Sequence, residues 1–185
     1  MTAPVLRHGR RGLLALTLAA ALPACGGDSS RAALLACPEV GLLPDAADLI
    51  RYREGMPPDL TGLVLEARIT GIESGRCSTG RERNRIMVSF QVGLLAERGP
   101  GATGRSQELP LVVAVLDRQG EILRREVLRQ QIIFPANSNR VRIASEPIEI
   151  VLPVSATRRG SDYDVVVGFL LTEAELAANR RRMGR

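Results

Sequence analysis

The chain of 185 residues has no lysine and no tryptophan, one histidine and only 3% aromatic residues. Without lysine, neither Schiff-base chemistry nor a Walker-type phosphate loop is possible. The single histidine, His8, lies within the first 24 residues, a segment with the features of a cleaved signal peptide. Cleavage of this segment would leave the mature protein without histidine. That excludes Ser-His-Asp and Cys-His catalysis and zinc sites built on imidazole. The composition therefore predicts a protein that is not an enzyme and holds no cofactor or metal.

The N-terminal segment begins with three arginines, Arg7, Arg10 and Arg11. Residues 13–22 then form an apolar run of about ten residues, too short to span a bilayer of about 30 Å. Leu22-Pro23-Ala24-Cys25 closes the run and resembles a bacterial lipobox, whose cysteine becomes the acylated first residue of the mature protein. Residues 1–24 are thus predicted to be a lipoprotein signal peptide and Cys25 the lipidation site. The alternative is an ordinary secretory signal with an incidental cysteine.

The predicted anchor fixes an expected location. Two or more acyl chains hold a protein stably on a membrane, because each buried CH₂ contributes about 0.8 kcal/mol. Gly26, rather than aspartate, follows the cysteine, and by resemblance to enterobacterial sorting this favours the outer membrane. We expect a protein of the cell envelope that faces the periplasm, with the membrane and an envelope protein as its partners.

The net charge depends on the same cleavage. The full chain has 25 basic and 20 acidic residues and a charge of +5. Loss of the three arginines of the signal peptide leaves 22 basic and 20 acidic residues, a charge of +2. Nucleic acid is therefore not an expected partner. Four arginines end the chain: Arg180, Arg181, Arg182 and Arg185. They are either a solvated, frayed terminus or a contact for phosphates of anionic lipid or lipopolysaccharide.

Two cysteines remain for other roles if Cys25 is acylated. Cys37 and Cys77 would lie in an oxidising compartment, and an even pair there predicts a disulfide. The alternative is two separate buried thiols, whereas the spacing does not fit a redox-active CxxC pair.

Carboxylates are the remaining candidates for acid–base or cation chemistry. Asp162 and Asp164 would share one face of a strand and could bind a cation or act on a glycosidic bond, but a solvated strand entrance is the expected role. Asp45 and Asp48 are expected to favour a helix N-terminus rather than to hold calcium.

The pattern along the chain divides it into a tether over residues 25–36, one domain over 37–171 and a terminal helix with an arginine-rich tail over 172–185. Residues 43–52, with acids near their start, predict a short helix. Residues 74–84 predict a polar loop that carries Cys77. Thr172 and Glu175 have the spacing of a capping box, which predicts where the terminal helix begins.

Between these segments the apolar residues follow the period of two that is typical of half-buried strands. Six or seven such strands separated by turns predict a mainly β fold, a single immunoglobulin-like or fibronectin-like sandwich, with a small half-barrel as the alternative. Tyr163, near the start of the last long strand, is a candidate tyrosine-corner residue. Residues 111–116 are apolar on both faces, which indicates either a buried central strand or an exposed patch that docks a partner.

A resemblance covers nearly the whole mature chain. The segments that carry it are Cys37-Pro38, the run from Leu43 to Leu49, residues 63–72, 109–116 and 163–172, and Glu175-Leu176-Ala177. In these segments the chain resembles uncharacterised proteobacterial envelope lipoproteins of this size. The resemblance implies a lipobox and a single β-rich domain. It implies no activity, substrate or functional residue.

Three functions follow from these observations. The first is a lipid-anchored, non-enzymatic structural or interaction module that binds an envelope component through an edge strand or loop. The second is a periplasmic carrier of a small ligand or lipid, which needs an apolar cavity. The third is a hydrolase that depends on Asp162 and Asp164.

Overall fold

A computed structural model describes residues 36–81 and 84–184. Cys25, Arg185, the predicted signal peptide and most of the predicted tether lie outside the described residues. The period-two pattern produces nine strands in the described part of the chain: β1 Glu39–Leu42, β2 Asp48–Tyr52, β3 Leu63–Thr79, β4 Arg85–Arg98, β5 Ser106–Asp117, β6 Ile122–Ile133, β7 Arg140–Ala144, β8 Ile148–Pro153 and β9 Tyr163–Phe169. Within the same described residues, the α-helix α1 spans Glu173–Met183, and short 3₁₀ turns cover Pro44–Ala46 and Gly160–Asp162.

The strands form two sheets. Sheet A has the order β1-β9-β5-β6, and its short edge strand β1 runs parallel to β9. Sheet B has the order β2-β3-β4-β7, with β8 pairing with the other half of β4. The tight turn between β5 and β6 contains Gly120 at φ 82°, a conformation that glycine adopts readily.

The inner faces of the two sheets supply one hydrophobic core. β5 contributes Leu111 and Val113, and β4 contributes Phe90 and Leu94, all buried. Such residues alternate with outward-facing ones along each strand, as in other sandwiches. The predicted mainly β sandwich with a C-terminal helix is therefore confirmed.

Two local predictions were wrong. Residues 43–52 contain only one 3₁₀ turn, Pro44–Ala46, and then continue as β2, because Leu49 packs into the core while its neighbours pair with β3. Residues 74–84 do not form a loop throughout, because β3 extends to Thr79 in register with β4. Cys77 therefore lies on a strand.

Two other local predictions are confirmed. The Thr172 Oγ1 atom accepts a hydrogen bond from the Glu175 N–H at 3.2 Å, and the Glu175 carboxylate accepts one from the Thr172 N–H at 2.7 Å. This is the predicted capping box. The buried Tyr163 hydroxyl donates to the Pro153 carbonyl at 2.7 Å, which is the backbone contact expected of a tyrosine corner.

Candidate interaction surface

The outer face of sheet A carries a contiguous set of apolar side chains. Residues that are paired across antiparallel strands point to the same side of the sheet. On the side away from the core, Val112 pairs with Val127, Ala114 with Val166 and Leu116 with Ile122. We call this set the apolar face: Val112, Ala114, Leu116, Ile122, Val127 and Val166.

The apolar face is separate from the core and becomes more exposed toward β6. Val112 and Ala114 are 8% and 6% exposed, yet neither belongs to the hydrophobic cluster between the sheets. Val127 and Ile122, on β6, are 46% and 63% exposed. The Pro44–Ala46 turn packs over Gly168, which is paired with Val112, so the exposed part of the apolar face lies on β6. Exposed apolar residues on the solvent side of an antiparallel strand pair are unusual, since that side is ordinarily polar.

Sheet B provides the comparison within the same molecule. Its outer face presents charged side chains in cross-strand rows, including Asp48 beside Arg68 and Glu97 opposite Arg140. The Arg68 Nε atom lies 2.6 Å from the Asp48 Oδ1 atom, and this hydrogen bond raises the pKa of the Arg68 guanidinium. The only large exposed apolar pair on this face that we find in the described residues is Met87 with Val151. Charged side chains therefore predominate on the outer face of sheet B, where Ile50 and Leu95 are half-buried apolar exceptions.

The edge of sheet A beside the apolar face is the 12-residue strand β6. The Phe134 N–H donates to the Arg105 carbonyl at 2.8 Å, and the β5–β6 register runs without a shift from there to Arg124. Antiparallel residues bond alternately to one neighbour and the other. Every second residue of β6 therefore directs its backbone groups away from the sheet: Arg125, Val127, Arg129, Gln131 and Ile133.

Arginines and glutamates surround this edge. Arg124 forms an ion pair with Glu126, and the Arg129 Nη1 atom lies 2.6 Å from the Glu108 Oε1 atom. Arg125 is exposed and faces the same side as Val127. The strand β6 has a net charge of +2, because it contains three arginines, Arg124, Arg125 and Arg129, and one acid, Glu126.

A second surface feature is an open groove of 480 Å³ between β2 and α1. Ile50, Tyr52 and Ala178 make its walls largely apolar, and Arg181 and Arg182 add positive charge. A groove of this size can hold a small amphipathic molecule.

The structure joins the predicted cysteine pair. Cys37 and Cys77 form a disulfide with an S–S distance of 2.12 Å and a Cα–Cα distance of 6.2 Å. Cys37 precedes β1 in sheet A and Cys77 belongs to β3 in sheet B. The bond therefore ties the two sheets together where the chain enters the domain.

The carboxylates of Asp162 and Asp164, considered as a cation or catalytic site in the alternative to a solvated strand entrance, have separate surroundings. Asp162 lies in a 3₁₀ turn, where its carboxylate accepts from the Arg159 N–H at 2.8 Å and pairs with Arg118 at 2.5 Å. Asp164 is exposed on β9, and neither lines the groove beside α1.

Asp45 and Asp48 also have local partners. Asp45 lies in the 3₁₀ turn and pairs with Arg180, whereas Asp48 begins β2 and pairs with Arg68. The prediction that both favour the N-terminus of a helix was therefore wrong for Asp48, because the chain there is a strand.

Three of the four C-terminal arginines lie in helix α1, and the fourth, Arg185, lies outside the described residues. Arg180, Arg181 and Arg182 belong to the last turn of α1, where positive charge interacts favourably with the helix dipole. The Arg180 Nε atom lies 2.7 Å from Asp45 Oδ2, and Arg182 donates to Asn179 Oδ1 at 2.5 Å. Asp45 follows β1 while Cys37 precedes it, so these arginines lie at the opposite end of β1 from the disulfide.

Other chemistry is sparse in the described residues. They contain no cluster of three His, Cys, Asp or Glu side chains that could hold a metal ion. Hydrogen bonds from the Thr61 hydroxyl and the Gly62 N–H lower the pKa of the Asp59 carboxyl, which organises the exposed β2–β3 loop. Within residues 36–81 and 84–184, no helix is both long and apolar enough to cross a membrane.

Sequence reasoning found only part of the apolar face. The run of apolar residues from 111 to 116 indicated β5, but the contributions of Ile122, Val127 and Val166 were missed. The available signal was the presence of adjacent apolar residues, Ile122-Leu123, Val127-Leu128 and Val165-Val166-Val167, which indicates apolar side chains on both faces of these strands. It could not show that the three strands are neighbours.

Comparisons with known proteins add little. No protein-family model matches the chain, and no curated protein matches it. Among solved structures, it is similar to the variable (V) domain of the AgI/II polypeptide BspA of Streptococcus agalactiae, at 8% sequence identity. The match covers 71% of this chain and 77% of that chain, with a TM-score of 0.16.

Proposed function

We propose that this protein is a lipid-anchored, non-enzymatic interaction module of the bacterial cell envelope. Cys25 carries the acyl anchor, and the sandwich binds another envelope protein through the apolar face of sheet A. The observation that carries the proposal is the exposure of Ile122 and Val127 on β6, beside the apolar residues of β5, whereas the outer face of sheet B is largely charged. Exposed apolar patches rimmed by polar residues are typical of protein-binding surfaces.

The proposed location draws on the sequence and on the disulfide. The lipobox-like segment Leu22-Pro23-Ala24-Cys25 supports acylation. A disulfide between Cys37 and Cys77 supports an oxidising compartment such as the periplasm. The absence of lysine and the loss of His8 with the signal peptide support a role that does not involve catalysis.

Site-specific photo-crosslinking in intact cells of the source bacterium tests the docking role. A photoreactive amino acid is placed at Val127 on the apolar face and, as a matched control, at the exposed Arg142 on the outer face of sheet B. We expect one adduct of defined mass from position 127 and none from position 142. Equal adducts from both positions, or none from position 127, would contradict the docking role.

The same cells test the anchor. Wild-type protein should fractionate with membranes, and a Cys25→Ser variant should not, because it lacks the thiol that carries the diacylglyceryl group. If the two proteins fractionate identically, Cys25 is not the lipidation site, whatever the crosslinking shows.

A further inference from the structure

We propose that the partner of sheet A docks as an additional strand on the free edge of β6, and that this strand is acidic at two positions that flank an apolar one. The inference rests on the proposed function, since it specifies how the apolar face binds its partner. It concerns an extended segment of another envelope protein rather than a second copy of this chain.

The backbone of β6 supports strand addition. β6 is long, and in the described residues sheet A ends at this strand. The backbone N–H and C=O groups of Arg125, Val127 and Arg129 point away from β5, as the Phe134–Arg105 hydrogen bond and the unbroken register require. An extended peptide can satisfy these groups by pairing with them, which is the usual mode of recognition at a free sheet edge.

The side chains at this edge determine the composition of the added strand. The residues with outward-pointing backbone groups all place their side chains on the outer side of sheet A. A new strand would therefore set alternate residues opposite Arg125, Val127 and Arg129. Carboxylates opposite the two arginines and an aliphatic side chain opposite Val127 give favourable cross-strand pairs.

The expected pattern is therefore acidic-x-apolar-x-acidic. Arg129 already contacts Glu108, but its guanidinium has five N–H donors and can bind a second carboxylate. The apolar residue at the centre of the new strand would extend the apolar face beyond Val127, so edge and face would form one continuous surface.

Charge disfavours a second copy as the occupant. β6 carries +2, and pairing two such strands brings four net positive charges to one interface. In the antiparallel register centred on Val127, Arg125 of each copy would lie opposite Arg129 of the other, and like charges in directly opposed positions are destabilising. Arginine at an edge strand discourages association of that edge with itself.

Proline at position 127 tests the edge without removing a bond to β5. The Val127 N–H points outward, so Val127→Pro removes one docking donor and leaves the β5–β6 ladder intact. Val127→Thr is the matched control, because it keeps the N–H and the β-branched shape. With the photoreactive residue at Ile122, we expect adduct formation to fall at least tenfold in Val127→Pro and less than threefold in Val127→Thr.

A purified-protein assay tests the charge pattern independently of the cellular partner. The probes are a labelled peptide, Ser-Glu-Thr-Val-Thr-Glu-Ser, and its counterpart with lysine in place of both glutamates. The full chain should bind the glutamate peptide at least tenfold more tightly, and Arg125→Glu with Arg129→Glu should reverse that preference. Both arginines are exposed, so this variant keeps the test informative if Val127→Pro does not fold.

The outcomes separate the two proposals. An adduct that persists in folded Val127→Pro, or peptides that bind equally, would overturn strand addition while leaving docking on the apolar face in place. A wild-type dimer that Val127→Pro dissociates in sedimentation analysis would overturn the choice of occupant. Absence of any adduct from the wild-type apolar face would contradict the proposed function itself.

Discussion

At the scale of single residues, one buried amide connects the terminal helix to the start of the domain. Asn179 is 5% exposed, and its Nδ2 atom donates to the carbonyls of Asp45 at 2.9 Å and Asp48 at 2.7 Å. Its Oδ1 atom accepts from Arg182. All the polar atoms of this side chain therefore have partners, and α1 is held against the 3₁₀ turn and β2.

Replacement of this amide is expected to destabilise the whole domain. Asn179→Ala leaves two carbonyl oxygens without their donor, and a buried polar group left unsatisfied costs about 1–3 kcal/mol. We expect the free energy of unfolding, measured by urea denaturation, to fall by about 2 kcal/mol. Arg181→Ala, on the same helix but exposed, is the control and should change it by less than about 0.5 kcal/mol. Equal effects of the two variants would show that the Asn179 contacts are not stabilising.

Some residue-level contacts could be predicted and others could not. The Cys37–Cys77 pair followed from counting cysteines, and the role of Tyr163 followed from its place at the start of a strand. Asn179 gave no such signal, because its partners are 134 and 131 residues away in sequence. The position of a long-range polar contact depends on the tertiary fold and not on local pattern.

At the scale of elements, strand existence was predictable and strand extent was not. The last six residues of β3, 74–79, are largely polar and contain Gly75, which is typical of loops. It is nevertheless a strand, because β4 supplies hydrogen-bonding partners along its length and Cys77 is tied to Cys37. Partner strands outweigh local propensity here.

The 3₁₀ turn Pro44–Ala46 also depends on a neighbouring element. It packs over Gly168 of β9, and a Cβ atom at Gly168 would lie 2.8 Å from the Cβ of Ala46 and 3.2 Å from that of Leu43. Both approaches are closer than ordinary carbon contacts. Glycine at this position therefore allows the turn to lie against the outer side of sheet A.

Gly168→Ala should force these elements apart. Overpacking of a closely packed site typically costs about 1–3 kcal/mol, and we expect a loss of stability in that range by thermal or urea denaturation. Gly104→Ala is the matched control, because a Cβ there meets nothing within 4 Å and the site lies in an exposed loop. That control should be neutral or slightly stabilising, since alanine restricts the unfolded chain. A neutral Gly168→Ala would mean that the turn is not held against β9.

At the scale of the whole molecule, the two sides of the sandwich differ in a way that one strand cannot reveal. The pattern of β5 alone showed apolar residues on both of its faces. Only the registers with β6 and β9 place Val127, Ile122 and Val166 beside them. The fold class could thus be predicted from the periodicity of apolar residues. The candidate site could not, because its residues come together only through the order of the strands in the sheet.

The disulfide acts at this same scale, because it links the segment just before β1 of sheet A to β3 of sheet B. Cys37 and Cys77 are 40 residues apart, and a cross-link of that separation removes enough freedom from the unfolded chain to contribute about 4 kcal/mol. The Cys37→Ser, Cys77→Ser double variant should lose about that much stability in urea, and the slope of the transition should rise, because the unlinked unfolded chain exposes more surface. Wild-type protein in excess reductant should behave in the same way, which separates loss of the bond from any effect of serine. A loss below about 1 kcal/mol in both cases would show that β1 and β3 stay together through core packing alone.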